Sequence, residues 1–235
     1  MYEAVHPSPH GDSTVARHAV TAAQSGFDGV VVRGRPGDDR DPALGAIRDS
    51  AGIDVASGVE VVADSPSVAR GHVGNIRPEV TVLLLRGGSP EVNRFAVEAP
   101  RIDVLTAPMA DGGNFNHVLA TAAADNDVAV EFDFGPVLRR DGGPRVRALQ
   151  RLRKLRELVA DADAPFVVSA GPRSHLQQRA PRELVAVGEA VGFDGETIQA
   201  GLDAWGDIVS RNRHRQSDAF VAPGIEVDRP EEDEQ

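Results

Sequence analysis

Seven short apolar runs, each followed by a stretch of helical periodicity, constrain this chain more than any other feature. The runs are Tyr2–Val5, Gly29–Arg33, Val55–Val62, Thr81–Leu85, Ile102–Thr106, Val128–Phe134 and Pro165–Ser169. Most are near-continuous in Val, Leu and Ile, the pattern of parallel strands covered by helices. Between them, Asp12 or Ser13 can cap a helix that ends at Ser25-Gly26, and Pro42 falls in the first turn of the next. Ser65-Pro66 and Ser89-Pro90 open two more, with proline where its missing N–H costs nothing. Residues 114–126 and 144–160 add two helices, and 174–211 reads as helices without a strand. Right-handed crossovers leave two topologies for such repeats, an open doubly wound sheet or a closed barrel. The strand count favours the barrel. The expected fold is therefore α/β, a distorted TIM-like (β/α) barrel of about seven parallel strands, with extra C-terminal helices replacing an eighth unit. No break in composition marks a second domain. One domain is expected over 1–227, followed by a disordered acidic tail, DRPEEDEQ, over 228–235.

The charge pattern narrows the setting. The net charge is −11, and Lys154 is the only lysine beside 24 arginines. Excess carboxylate with arginine in place of lysine suits concentrated salt, where screening is short-ranged and bidentate guanidinium pairing persists. The chain has no cysteine, which removes disulfides, thiolate-bound zinc and thiol catalysis. No basic segment followed by an apolar run opens the sequence, and no run is long enough to span a bilayer, so a cytoplasmic location without membrane contact is expected.

Few motifs carry chemistry. No P-loop or dinucleotide-binding glycine pattern is present. The segment VVSAG around Ser169 lacks the first glycine of a nucleophile elbow. Glu131 and Asp133 lie two apart on one run and so share a strand face. If that face is inward, Glu60 and Glu131 meet inside the barrel, where each needs a partner. Arginine or a divalent metal would serve, and His6 could join a metal set. Basic residues cluster as well. Seven arginines and Lys154 lie between Arg139 and Arg156 with one acid, Asp141, and RNRHR spans Arg211–Arg215. Arg33, Arg35, Arg86, Arg139, Arg173 and Arg179 all follow strands, which puts them near one rim of a barrel. Either a solvated, salt-bridged surface or a set of phosphate contacts accounts for such clusters.

Three segments together carry a resemblance: 102–134, 164–193 and 220–227. Their order is DVL, NHVLA and VAVEF, then a strand ending in Ser169, RAPREL opening a helix, and a closing PGIEV. The set resembles ribonuclease P protein component 3 of archaea, the homologue of the eukaryotic thirty-kilodalton subunit. The resemblance implies a distorted barrel related to the polymerase-and-histidinol-phosphatase class. It implies a subunit of the endonuclease that removes the 5′ leader of precursor tRNA, with Mg²⁺-dependent catalysis carried by the RNA subunit. It also implies three partners: the catalytic RNA, precursor tRNA as holoenzyme substrate, and protein component 2 with the other protein subunits. No cofactor bound by this chain and no catalytic residue of its own are expected.

The sequence departs from the metal phosphoesterases of that class. The first strand is followed by VHPSPH, so only His6 matches the usual histidine pair, and the late Asp-x-His is absent. A stand-alone metal phosphoesterase using Glu60, Glu131 and His6 is the alternative. A metabolic barrel enzyme is a further one, although Lys154 sits in a surface-type helix, unsuited to Schiff-base chemistry. Arg33, Arg35, Arg86, Arg173 and Arg179 are the expected RNA-backbone contacts, with Ser169 and Asn126 as secondary polar candidates. The Arg139–Arg156 run is expected to touch RNA or a partner at the periphery.

Overall fold

A computed structural model describes residues 1–38, 43–110 and 114–217, together with the backbone of 220–222 and 225–226. The strands are β1 (Tyr2–Val5), β2 (Gly29–Gly34), β3 (Asp54–Val62), β4 (Val82–Arg86), β5 (Val104–Thr106), β6 (Ala129–Asp133) and β7 (Phe166–Ser169). They pair in chain order, each parallel to the next, which is the barrel rather than the doubly wound sheet. The helices between them are α1 (Val15–Ser25), α2 (Leu44–Ala51), α3 (Pro66–Ile76), α4 (Pro90–Glu98) and α5 (His117–Asp125). After β6 come a short α6 (Gly135–Arg139) and a long α7 (Gly142–Asp161); after β7 come α8 (Pro181–Val191) and α9 (Gly195–Arg215).

Local chemistry sets the ends. Ser65 and Ser89 cap α3 and α4, their hydroxyls accepting from the Val68 and Val92 N–H groups, with proline in the first turn. Thr14, not Asp12 or Ser13, caps α1 by accepting from Arg17 N–H. Gly26 stops that helix at φ 91°, a left-handed conformation that a residue without Cβ adopts at no cost. Pro42 and the 228–235 tail lie outside the described residues. One element was not expected: Phe220–Ala222 pairs antiparallel with Ile225–Glu226 as a small ribbon, β8–β9. Its only sequence signal is a Pro-Gly dipeptide between apolar residues.

Strand alternation splits the apolar residues into two layers. Ala4, Val31, Ala56, Val82, Leu84, Val104, Ala129 and Val167, mostly Ala and Val, form the inner one, and Leu83, Leu85, Phe132 and Val168 face the helices. The inner residues are small, which leaves room at the N-terminal end of the barrel. α9 fills it: Trp205, Ile208 and Val209 pack into the inner cluster, and the Trp205 indole N–H donates to the Val168 carbonyl at 2.9 Å. Polar residues of the same helix lock this plug. Arg213 pairs bidentately with Asp54 at 2.7 and 2.9 Å, and Asn212 donates to Thr81 O and Asp103 Oδ1 at 2.9 and 2.8 Å. Arg211 pairs with Asp127 and lies 3.7 Å from Asp103. The Arg211 and Arg213 members of the RNRHR cluster are thus held by carboxylates of the barrel base.

The ring is nearly closed. β1 and β7 are edge strands of the sheet order, and side-chain and loop contacts bridge them. The Glu3 carboxylate accepts from Ala170 N–H at 3.1 Å and from Ala4 N–H at 2.9 Å, and His6 N–H donates to Pro172 O at 2.9 Å.

Candidate nucleic-acid interface at the barrel mouth

With α9 at the N-terminal end, the polar inward positions collect at the C-terminal end. The inner register that places Val31, Ala56, Val104, Ala129 and Val167 low in the barrel continues two or four residues on with Arg33, Glu60, Thr106, Glu131 and Ser169. All five are buried.

Their partner is arginine. Arg33 Nη1 donates to Glu131 Oε1 at 2.6 Å; Nη2 donates to Glu131 Oε2 at 3.1 Å and to Glu60 Oε1 at 3.0 Å. The Thr106 hydroxyl donates to Glu60 Oε1 and the Ser169 hydroxyl to Glu131 Oε1, both at 2.6 Å. Arg35 flanks the cluster, its Nη1 3.2 Å from Glu60 Oε2. Burial opposes charge on Glu60, but Arg33, the Thr106 hydroxyl and neighbouring positive groups overcome it and hold the carboxyl well below its ordinary range. Burial also opposes charge on Arg33, and the two glutamates override it and raise its pKa. Burial, then the charge of Arg33, pushes His6 down, so its imidazole is neutral.

This geometry does not fit a metal. Arg33 occupies the space between Glu60 and Glu131 and uses their inward-facing oxygens. Among the described residues no group of three or more His, Asp or Glu is placed to hold an ion. Glu60 and Glu131 are therefore bridged by Arg33, with no bond from the His6 ring to either among the described residues, and two further expectations change with it. Arg33 is a buried structural ion pair rather than a backbone contact. Ser169, with no exposure, bonds Glu131 rather than a ligand. Asn126 is also displaced from the mouth: it ends α5 at the opposite, N-terminal end of β6, where its side chain donates to Ala122 O at 2.9 Å.

Above the network the rim is cationic. Arg173, exposed, is held by one bond from Nη1 to the His10 carbonyl at 2.7 Å. Arg139 is held by the carbonyls of Ala170 and Gly171 at 2.8 and 3.2 Å. The side chain of Arg86, at the end of β4, makes no hydrogen bond or ion pair among the described residues. Arg179 lies further round, on the carbonyls of Gln178 and Leu176 at 2.8 and 3.4 Å. Carbonyls fix the guanidiniums of Arg139, Arg173 and Arg179 without neutralising them. Between α6, α7 and the strand ends lies a cleft of about 350 Å³, walled by Arg86, Arg139, Arg140, Arg151 and Arg173, with Asp133 at its floor. Burial, then the charge of Glu131, pushes the Asp133 carboxyl up to about 6.

The Arg139–Arg156 run divides along α7. Ala148, Leu152, Leu155, Leu158 and Val159 face the core. Arg153 and Arg156 donate to the carbonyls of Ala190, Val191 and Gly192, closing the end of α8, and Arg156 lies 5.8 Å from the Phe193 ring centroid. Lys154 is exposed and pairs with Glu157 at 3.3 Å. Arg140, Arg145, Arg147 and Arg151 are exposed and carry no such partner among the described residues. Thr106 and the Trp205 plug escaped sequence reading. The polar end of the DVLT run was the only sign of the first, and the lone tryptophan of the chain the only sign of the second.

Comparison with known proteins agrees with this architecture. A family model described as RNase P subunit p30 matches residues 1–217. Ribonuclease P protein component 3 of Haloarcula marismortui is 60% identical over 228 residues, covering 97% of each chain. A chain of archaeal ribonuclease P, from a cryo-EM structure with mature tRNA, superposes with TM-score 0.84 at 24% identity, over 99% of this chain and 100% of that one. Histidinol phosphate phosphatase from Lactococcus lactis superposes with TM-score 0.55 at 11% identity, over 82% and 94% of the two chains. The barrel is thus similar in fold to a phosphatase of the class that the sequence suggested.

Proposed function

This chain belongs to the RNase P subunit p30 family, and from that premise we propose that its barrel mouth holds RNA for the ribonuclease P holoenzyme rather than performing the chemistry itself. As a ribonuclease P subunit it serves removal of the 5′ leader from precursor tRNA. The observation that carries the reading is the exchange at the mouth: a guanidinium stands between Glu60 and Glu131, while the rim above offers arginines that form no ion pair with a carboxylate among the described residues. Phosphodiesters suit such groups, since a planar guanidinium pairs with two phosphate oxygens at once.

On this reading the catalytic RNA supplies the reaction through Mg²⁺, and this chain carries no catalytic residue and binds no cofactor. Its partners are that RNA, the precursor tRNA that the RNA cleaves, and protein component 2 with the other protein subunits. The location is cytoplasmic; no described helix is long and apolar enough to cross a membrane. The charge pattern fits a salt-rich interior. At about 1 M salt the Debye length falls to roughly 3 Å, so long-range attraction to RNA is lost and only close contacts remain. Arginines pinned by backbone carbonyls, such as Arg139 and Arg173, provide close contact without a mobile chain to order.

Reconstitution tests this directly. Precursor-tRNA cleavage is measured at limiting Mg²⁺ with the catalytic RNA and the partner proteins, with and without this chain. A faster rate or a lower Mg²⁺ requirement on addition supports the reading, and unchanged kinetics would remove it.

A further inference from the structure

The cleft beside α7 has a mixed lining. Arg86, Arg139, Arg140, Arg151 and Arg173 supply its cationic part, and none of these five has a carboxylate ion pair among the described residues. Met109, Pro136, Leu152 and Leu155 supply an apolar wall beside them. At about 350 Å³ the cleft lies at the small end of the roughly 300–1,000 Å³ that enclose small ligands. A paired, stacked helix cannot enter a space of that size.

We propose that this cleft takes a single unpaired nucleotide of RNA, its base against the apolar wall and its phosphate among the arginines. The proposal rests on the reading of the mouth as an RNA surface, and it narrows that surface to the single-stranded class. Three features of the site favour this occupant. Unpaired bases present a π-face that settles on apolar side chains and on guanidinium planes, and Arg140 and Arg151 are exposed beside the apolar wall. Cationic and apolar groups in one cleft match an object that carries both an anionic group and a flat, weakly polar one. The floor adds polarity of the right sense. Asp133 accepts from Gly135 N–H at 2.8 Å, and a carboxylate has lone pairs left for the exocyclic amino group of a base. An acidic side chain from a protein would satisfy the arginines but leave the Met109–Leu152–Leu155 wall uncovered.

The test uses the full chain and three probes: adenosine 5′-monophosphate, ribose 5-phosphate and a precursor tRNA. Equilibrium binding is measured for the wild type and for Arg86→Gln and Arg151→Gln, two side chains without partners among the described residues. The expected result is that adenosine 5′-monophosphate binds roughly fivefold or more tightly than ribose 5-phosphate, the order of a base-stacking contribution. Arg86→Gln should weaken both small probes, and Arg151→Gln should reduce the preference for the one carrying a base. Equal affinity of the two small probes would overturn the base site and leave a phosphate contact. Binding of precursor tRNA with no binding of either small probe would overturn the proposal and spare the RNA reading of the mouth. Failure of all three would remove both. Displacement of adenosine 5′-monophosphate by an acidic peptide at lower concentration than by ribose 5-phosphate would assign the cleft to a protein partner and overturn the proposal.

Discussion

Replacing Arg33 with methionine separates a structural guanidinium from an RNA contact. The side chain is 3% exposed and donates three hydrogen bonds to two glutamates that are themselves buried. Methionine fills much of the volume and removes the charge. Glu60 and Glu131 then lose the guanidinium they share, and only Arg35, on the outer oxygen of Glu60, remains as a counter-ion. Breaking a buried pair by deleting one partner costs about 3–5 kcal/mol. For a chain of this size each kcal/mol moves the melting temperature by roughly 2–4 °C, so a fall of about 6–20 °C is expected. The loss should depend on pH. In the wild type the Glu60 carboxyl is held below its ordinary range, so its contribution to stability is present above about pH 4.5 and fades below it. In Arg33→Met the strongest charge that opposes burial at Glu60 is gone, so the Glu60 carboxyl rises and the variant regains stability as pH falls toward 5. Scanning calorimetry in molar KCl at pH 7.5 and 5.5 reads both effects, and salt of that strength screens a buried pair little. A variant as stable as wild type at pH 7.5, with no new pH dependence, would refute the reasoning. The triple variant with Glu60→Gln and Glu131→Gln should recover part of the loss, because it removes the uncompensated charges.

Two further expectations concern the closure of the barrel. Burial pushes the Glu3 carboxyl at the β1–β7 seam up to about 8, so between about pH 4.5 and 8 the native state holds a proton that the unfolded chain has lost, and stability falls as pH rises. Glu3→Gln should flatten that decline, by at most about 5 kcal/mol across the window; denaturant melts at pH 5 and 8 that run parallel for the two proteins would contradict it. Trp205→Ala empties the plug of α9 and strands the Val168 carbonyl; a loss of about 3–5 kcal/mol is expected in denaturant unfolding, and a change below about 1 kcal/mol would show that the helix does not close the barrel.

The barrel was legible because parallel strands covered by helices write themselves as apolar runs. The runs 2–5, 81–85 and 165–169 each reappear within a residue or so of their expected ends. That Glu131 and Asp133 share a face was legible from strand alternation; which face turns inward was not, and the closed sheet sets Glu60 and Glu131 inside with Arg33 between them. What sequence could not show was which side chain crosses the barrel to meet them. Arg33 and Arg86 look alike as arginines ending strands, yet one is buried on two glutamates and the other is free among the described residues. The difference lies in the register that sets Arg33 against Glu60 and Glu131 across the ring, and it emerges only when the ring closes. Ser169 shares this history, since it faces inward and meets Glu131. The basic runs misled for a related reason. In RNRHR, Arg211 and Arg213 meet acids more than 80 residues away, at Asp127 and Asp54, and no local pattern reports such partners. The pairing of Phe220–Ala222 with Ile225–Glu226 was missed because two- and three-residue strands carry too little periodicity to register.

The central claim is that the rim arginines, unpaired with carboxylates among the described residues and set above a barrel bridged by Arg33, hold RNA. The Mg²⁺ dependence of precursor-tRNA cleavage tests it most directly, measured for holoenzyme reconstituted with wild-type chain and with Arg86→Glu/Arg173→Glu, after calorimetry has established equal folding. Reversal of two phosphate contacts should shift the Mg²⁺ requirement upward and lower the rate at limiting Mg²⁺, with much of the loss recovered at high Mg²⁺. Superimposable Mg²⁺ curves for the two proteins would contradict the account.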